Sequence, residues 1–337
     1  MARLRRSLPN LIALGALLLI GTARAEDAAA RAALPGPIPW QEPSPLPRMF
    51  LQLPFEAPEV VPARTLDVGL RLLYTNSILS ERSDSLSLDV HVETAQPTLF
   101  FRYGIVPGVE AQLAVPLFVD EGGFLDGPIE TVEGWFHAVN PERLGRPRNE
   151  ARFRLTRPDG SGIQRDGAAF GMGDVWAGVK VSLLEGDSGR RRLAARAALK
   201  FPTGRLLFGS KEVDAGLSLM AAQSWRSTAL RLQVDVVAPT ADLDALGLDT
   251  RVFGDAQLGV TQRLGSRVAL QVQGSYHLSP LAHSGLRSID GNTAYVLVGA
   301  TVALPRSVDL QLAVVENVFS PSRGADISFL FGARAAL

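Results

Sequence analysis

Hydrophobic and polar residues alternate with a period of two along most of the chain. In the stretch 193–201, Leu193, Ala195, Ala197, Leu199 and Phe201 fall on one face, and Ala194, Arg196, Ala198 and Lys200 on the other. A strand sends successive side chains to opposite faces, so this stretch has an oily face and a face carrying two cations. The pattern recurs in about twelve segments of roughly 10 residues, the length and alternation of strands in a transmembrane β-barrel. The segments are 65–75, 86–105, 109–118, 174–183, 193–201, 213–222, 228–237, 253–262, 268–277, 293–303, 308–316 and 326–337. The spacing predicts an all-β fold, a transmembrane antiparallel up-and-down barrel of about twelve strands.

One segment, 86–105, is longer than the rest. Its apolar positions are even at Leu86, Leu88, Val90 and Val92, then odd at Leu99, Phe101, Tyr103 and Ile105. One extra residue near 95–97 would restore a single face, so a β-bulge is expected there. Splitting the segment would give thirteen strands, and single-chain bacterial barrels are even-numbered, which favours the bulge. The connections alternate between short turns (106–108, 185–189, 223–227, 264–266, 304–306) and longer loops, beginning with a polar one at 76–84. With both termini periplasmic, every short turn lies on the periplasmic side, an asymmetry that a soluble sandwich does not require. Tyr74, Phe201, Tyr276, Tyr295 and Phe329 stand near the outer strand ends, and Tyr103 and Trp225 near the inner ends, as interfacial girdles would. Residues 329–337 keep their alternation to the end and resemble the terminal signal read by outer-membrane barrel-assembly machinery, although Leu337 stands where an aromatic is usual.

The chain begins with basic Arg3, Arg5 and Arg6, an apolar run from Leu11 to Ile20, and the cleavage pattern Ala23-Arg24-Ala25. This is a Sec-type signal peptide over residues 1–25, because the apolar run is only about 10 residues where a helical span needs about 20. Its removal takes four arginines (Arg3, Arg5, Arg6, Arg24) from 34 basic residues, leaving 30 against 34 acids, a net charge of −4. Nothing in that balance points to nucleic acid. With no cysteine, the chain forms neither disulfides nor thiolate metal sites. Residues 26–63 are rich in proline, which cannot donate to a ladder, so they do not form barrel strand. They are read as a periplasmic leader or as a plug in the barrel mouth, with Trp40, Met49, Phe50, Leu51 and Leu53 apolar enough to dock. The barrel occupies 64–337.

The inward phase carries both signs of charge: Asp67, Arg71, Arg102, Glu110, Asp174, Lys180, Arg196, Lys200, Asp214, Arg231, Asp235, Asp255, Asp309 and Arg334. Glutamines 112, 233, 257, 271 and 273 join them. These residues are the candidate lumen lining of an aqueous pore whose charges select solutes. The same groups also suit mutual pairing across a narrow closed lumen, and twelve strands lie between filled small barrels and open porins. The loop 120–171 has no clear strands, and loops that long serve a function or are disordered. Its arginines 143, 146, 148, 152, 154 and 157 suit bidentate contacts to lipopolysaccharide phosphates, an inward constriction, or pairing with the loop's own acids in an ordered cap.

His277-Leu278-Ser279 with Asn292 is similar to the His-x-Ser…Asn arrangement of the outer-membrane phospholipase A family. The i, i+2 spacing would let the histidine deprotonate the serine. That family's site faces lipid, however, whereas Val268, Leu270, Val272 and Tyr276 take the lipid phase here and turn His277 to the lumen. Polar residues at a barrel rim are the preferred reading, and no enzyme activity is expected. His91, His137, His277 and His283 lack metal-ligand spacing. Asp242, Asp244 and Asp249 lack the remaining ligands of a calcium loop. Gly209-Ser210-Lys211 and Gly171-x-Gly173 lack the rest of a nucleotide motif. No metal, catalytic or cofactor site is assigned.

Several stretches resemble the family of predicted outer-membrane barrels known as domain of unknown function 3187 (DUF3187). They are Gly122-Gly123-Phe124-Leu125-Asp126-Gly127, Glu133-Gly134-Trp135-Phe136, Gly171-Met172-Gly173-Asp174-Val175, and LKFPTGRLLFGSKEVDAGL at 199–217. The resemblance implies the fold and a Gram-negative outer-membrane location, and brings no activity or site residue. The functional expectation is a monomeric passive channel for small solutes, gated by its long loop, in contact with membrane lipid and lipopolysaccharide. The alternatives are a non-transporting structural or lipid-binding barrel, and an esterase or phospholipase using His277 and Ser279.

Overall fold

The computed structural model describes residues 34–135, 140–186, 190–243, 246–305, 307–317 and 323–337. The segment 1–25, expected to be a signal peptide, residues 26–33, His137 and Asp244 lie outside the described residues. Twelve long strands close an antiparallel ring: β1 (Leu66–Arg82), β2 (Ser87–Val106), β3 (Val109–Glu121), β7 (Trp176–Glu185), β8 (Arg191–Lys200), β9 (Asp214–Ser224), β10 (Thr228–Pro239), β12 (Phe253–Leu264), β13 (Val268–His277), β15 (Thr293–Leu304), β16 (Val308–Glu316) and β17 (Ile327–Ala336). Each pairs with its neighbour in sequence, and β1 closes on β17 from Asp67↔Ala336 to Asn76↔Ile327. Among the described residues closure leaves the twelve-strand ring without an open edge, which is what lets a sheet lie in hydrocarbon.

The outward phase is apolar and uncovered: Leu217 is 64 % exposed, Leu232 44 %, Val272 53 % and Leu312 52 %. In water such a band would forgo about 25 cal/mol for every Å² left unburied, a penalty absent in lipid tails. The strand ends joined by the five short connections, β2 to β3, β7 to β8, β9 to β10, β12 to β13 and β15 to β16, share one end of the barrel, the turn rim. Gly108 and Gly265 hold φ of 80° and 71° in these turns, the left-handed region that suits glycine. The longer connections share the loop rim, where two short strands, β11 (Asp249–Thr250) and β14 (Leu281–Ala282), pair with each other.

Four local expectations are corrected. The ladder from Leu66↔Tyr103 to Arg82↔Ser87 runs without a shift, so β2 has no bulge at 95–97; its irregularity lies at Gly104/Val106, beside the first short turn. The apolar phase of β2 changes because its surroundings change. Leu99 and Tyr103 face outward from the membrane band, whereas Leu88, Val90 and Val92 face a core formed by the loops above it. For the same reason most of 76–84 continues β1 as strand instead of forming a loop. The long connection after β3 is also structured. It holds α1 (Asp126–Trp135), β4 (Arg152–Thr156), β5 (Gly162–Asp166) and β6 (Ala169–Met172), with β4 paired to the top of β2 and β6 to β3. Finally, Tyr295 is not in a girdle. It is 2 % exposed and points into the lumen, whereas Tyr74, Phe201, Tyr276, Phe329, Tyr103 and Trp225 keep the outward phase.

Candidate functional site

Residues 34–63 run through the inside of the barrel as a hairpin. The rising arm starts near the turn rim, where Gln271 Nε2 donates to Gly36 O (3.1 Å) and Ile38 N donates to Gln271 Oε1 (2.9 Å). It climbs past Ser275, which accepts from Trp40 Nε1 (3.1 Å), to Glu42, whose carboxylate accepts from Thr293 Oγ1 (2.7 Å) and Tyr295 OH (2.9 Å) at the loop rim. A 3-10 turn at Pro47–Met49 reverses the chain. The falling arm passes Asp214, Gln233 and Lys180 and reaches Glu110 at the turn rim, where Val61 N donates to Glu110 Oε2 (2.7 Å). Phe55 N donating to Trp40 O (3.1 Å) ties the two arms together.

The prolines dictate this arrangement. They bar the segment from the ladder, so its carbonyls need donors from elsewhere. The wall supplies them. Arg71 Nη1 donates to Pro39 O (3.1 Å), and Arg196 Nη2 and Gln233 Nε2 donate to Pro54 O (3.2 and 3.1 Å).

Different sectors of the wall receive the two arms. Around the rising arm, Leu73, Tyr295, Leu297, Ala313, Val315 and Leu330 form an apolar cluster with Ile38 and Trp40. Wall glycines make room: a Cβ on Gly299 would lie 2.5 Å from Ile38 Cδ1, one on Gly259 2.8 Å from Phe55 Cε1, and one on Gly216 2.9 Å from Leu51 Cδ2. Such distances are well inside van der Waals contact.

The sector made by β3, β7, β8, β9 and β10 is charged. Lys180 meets Glu110 (3.0 Å) and Glu56 (3.2 Å). Arg196 meets Glu56 (3.0 Å) and, at 3.8 Å, Asp235, and it donates to Ser218 Oγ. Lys200 meets Asp174 (2.6 Å) and Asp214 (3.3 Å) and donates to Met49 O (3.1 Å). Arg231 donates to Thr261 Oγ1 (2.9 Å). On the remaining wall, Asp67 bridges Arg102 (3.0 Å) and Arg334 (2.7 Å), Asp255 meets His277 (2.8 Å), and Asp309 faces Arg334 across the β16–β17 ladder. Of the fourteen candidate lining residues, Arg102 and Asp309 are half-buried and Arg334 is exposed; the others are buried.

The hairpin tip closes the loop rim. Arg48 clamps Asp120 with two parallel hydrogen bonds (2.9 and 2.8 Å), donates to Thr94 Oγ1 and Leu207 O (3.0 Å each), and lies over the rings of Phe118 and Phe208. Leu46, Met49 and Phe50 share one core with Leu86 and Leu88 of the first hairpin, Phe153 and Leu155 of the long loop, and Leu243, Leu281 and Leu286 from later loops. A cavity of about 20 Å³ remains between Gln41, Arg48 and Lys200, room for one water.

Outside the lumen, arginines of the long loop pair with acids of the loop and of neighbouring elements. Arg143 is buried between Asp126 (2.7 Å), Asp326 (2.6 Å) and Asn76 Oδ1 (2.6 Å). Arg146 and Arg152 meet Asp89, Arg148 meets Glu130, Arg154 meets Asp166 and Arg165 meets Asp120. Burial works against ionisation of Asp126. His91, the Asn149 N–H and Arg143 outweigh it and hold the carboxyl well below the usual range.

The histidine and serine of the esterase reading do not form a dyad. His277 Nδ1 bonds Asp255, while Ser279 Oγ donates to Ile289 O (2.5 Å) and accepts from Leu281 N (3.1 Å). Asn292 Oδ1 accepts from Ser279 N (3.2 Å), and Asn292 Nδ2 donates to Tyr276 OH (2.8 Å). Asp249 meets His283 (2.9 Å). No group of three potential metal ligands occurs among the described residues.

The residues that sequence reasoning left out are those of the hairpin itself: Glu42, Arg48, Glu56 and Glu59. Their signal was four charges inside an apolar, proline-rich stretch, which fits a segment meant to face a charged wall better than a solvated leader.

The family described as "Protein of unknown function (DUF3187)" matches residues 14–336. No curated protein matches the sequence. Among solved structures, the COG4313 outer membrane channel from Pseudomonas putida F1 is similar with a TM-score of 0.55 at 11% identity, over 83% of this chain and 97% of that one. The NanC porin aligns over 80% and 98% with a TM-score of 0.45 and 10% identity. The Pseudomonas putida toluene transporter TodX aligns over 82% and 89%, with a TM-score of 0.37 and 11% identity. At these identities the first likeness concerns the fold, and the other two scores carry no argument.

Proposed function

The chain belongs to the DUF3187 family, and from its lumen we propose that this member is a passive outer-membrane channel for small solutes, closed by the hairpin at 34–63. One observation carries the reading: a wall rich in buried charge pairs with itself and also extends three of its cations to a segment that lies inside the ring ahead of β1. Lys180, Arg196 and Lys200 each contact that segment. A barrel built only as a solid support gains nothing from such a wall, because apolar filling of the same volume is as stable or more so. When the falling arm withdraws from β7, β8 and β9, the wall left behind is one that water can line. The tip and the loops share a core, so the long loop takes part in gating by holding Leu46, Met49 and Phe50 in place. The acidic partners of its arginines favour a cap over a constriction. Contact of that loop with lipopolysaccharide, a Gram-negative outer-membrane location reached through residues 1–25, and a monomeric state complete the proposal.

The test is single-channel recording in planar bilayers. The full chain should conduct rarely. A chain lacking 34–58 should show defined, frequent steps, and one lacking 140–150 should open more often than the full chain. A heat-modifiable barrel that stays silent in all three forms sinks the channel reading.

A further inference from the structure

We infer that the lumen wall around Glu56 is a carboxylate-binding site, occupied in this structure by the hairpin's own side chain, and that the solutes it takes are small organic carboxylates. The inference names a substrate class for the channel proposed above and depends on that reading only for transport. The site is built from three strands. Arg196 Nη1 of β8 donates to Glu56 Oε1 (3.0 Å); Lys180 Nζ of β7 and Gln112 Nε2 of β3 donate to Oε2 (3.2 and 2.8 Å). Both oxygens of one carboxylate are therefore met by donors that belong to the wall, while the carboxylate does not.

The neighbourhood extends the site into a path. The inward face of β8 carries Arg192, Arg196 and Lys200, with buried Ala194 and Ala198 between them. At a rise of about 3.3 Å per residue the cations stand roughly 13 Å apart, and the alanines leave their heads unobstructed. Each touches the hairpin: Arg192 meets Glu59 (2.7 Å), Arg196 meets Glu56, and Lys200 donates to Met49 O. In the turn-rim half of the charged sector, Lys180, Arg192, Arg196 and Arg231 face three wall acids, Glu110, Asp235 and Glu185, the last of which meets Arg192 (3.2 Å). Withdrawal of the hairpin removes Glu56 and Glu59 and leaves that half with excess positive charge. Toward the loop rim the wall is acidic at Asp120, Asp174 and Asp214, and the hairpin answers there with Arg48 and the Leu51 N–H. Along the falling arm the hairpin's charges therefore complement the wall at both levels, with Glu56 and Glu59 in the cationic one.

Two measurements test the site separately from the channel. In the full chain, Glu56→Ala opens a carboxylate-sized space. Acetate should then raise the midpoint of heat-modifiable gel migration saturably, by about 3 °C, whereas acetamide should not. Adding Arg196→Gln should abolish the acetate effect. Equal responses to acetate and acetamide, or no response to either, overturn the site. In the chain lacking 34–58, the reversal potential in a potassium chloride gradient should show anion preference, and succinate should reduce the current. Lys180→Gln with Arg196→Gln should lower both effects several-fold. Conductance with cation preference that ignores these substitutions overturns the inference while sparing the channel. Absence of conductance with intact acetate rescue overturns the channel and leaves the site standing.

Discussion

The two arms of the hairpin are held by different physics. The rising arm sits among Leu73, Leu297, Val315 and Leu330, with Ile38 set over Gly299. The falling arm also seats Leu51 and Phe55 over Gly216 and Gly259, but its polar groups run along Lys180, Arg196 and Asp214. An apolar wall is satisfied only by another apolar surface, so exposing it to water costs free energy in proportion to its area. A charged wall can exchange a protein carboxylate for water and mobile anions, although breaking a buried pair from one side is costly. The falling arm is thus the one whose departure leaves a usable passage, and the rising arm is the anchor. In one closed sheet the choice of inward residue, small and apolar or long and charged, sets which part of an inserted segment is replaceable.

The largest effect is expected on the falling arm. Arg196→Met takes the donor from Glu56 Oε1, one of two from the Pro54 carbonyl and the nearby cation from Asp235, and should cost about 4 kcal/mol in urea unfolding of the detergent-solubilised barrel. Adding Glu56→Gln should restore a large part of that loss, with a coupling of roughly 1–3 kcal/mol. Additive losses would show that the two residues do not share an interaction. On the rising arm, Trp40→Ala removes the ring packed 5.2 Å from Tyr295 and should cost about 3 kcal/mol, toward the low end for aromatic truncation because water can enter from the mouth. Far-UV circular dichroism in urea measures it, and this loss should be the same with or without Glu56→Gln. Coupling between Trp40 and Glu56 would dissolve the distinction between the arms.

The barrel is legible in the sequence because period-two alternation is local, and the lipid phase and the short turns repeat it twelve times. What escapes is whatever depends on long-range surroundings. The switch of phase along β2 resembles an inserted residue when read locally. It is in fact a strand passing from lipid into a protein core, with Leu88 and Val90 turned toward Phe153 and Leu155. Tyr295 fits a girdle by position, yet its side chain belongs to Glu42 of the hairpin. The strands β4 to β6 are only four or five residues long, β4 and β5 carry three arginines between them, and β4 and β6 are held by pairing with β2 and β3 rather than by their own pattern. The charged inward residues can be listed from alternation alone. Their partners on the hairpin cannot, because proline-rich backbone has no period to read.

The smallest effect sharpens the comparison from outside the lumen, where charges are paired without being available to a solute. In the long loop, burial, helped by Asp326 and Glu130, pushes the Glu133 carboxyl above its ordinary value against the pull of Asn140 and Arg143, whereas Asp126 is held below its own. The signs are opposite. A carboxyl raised in the fold contributes stability when protonated, so the loop should tighten slightly as the pH falls through Glu133's raised value. A depressed one contributes when ionised, so the loop should loosen only as the pH falls below the ordinary carboxylate range, through Asp126's folded value. Hydrogen exchange of 126–135 and 140–149, corrected for intrinsic rates, should therefore show protection that rises a little between neutral and mildly acidic pH and then collapses. Asp126→Asn should remove the lower limb and leave the upper one. If protection instead followed the opening of the channel across this range, the loop's charges would be coupled to the falling arm, and the separation between a sealed cap and an exchangeable wall would fail.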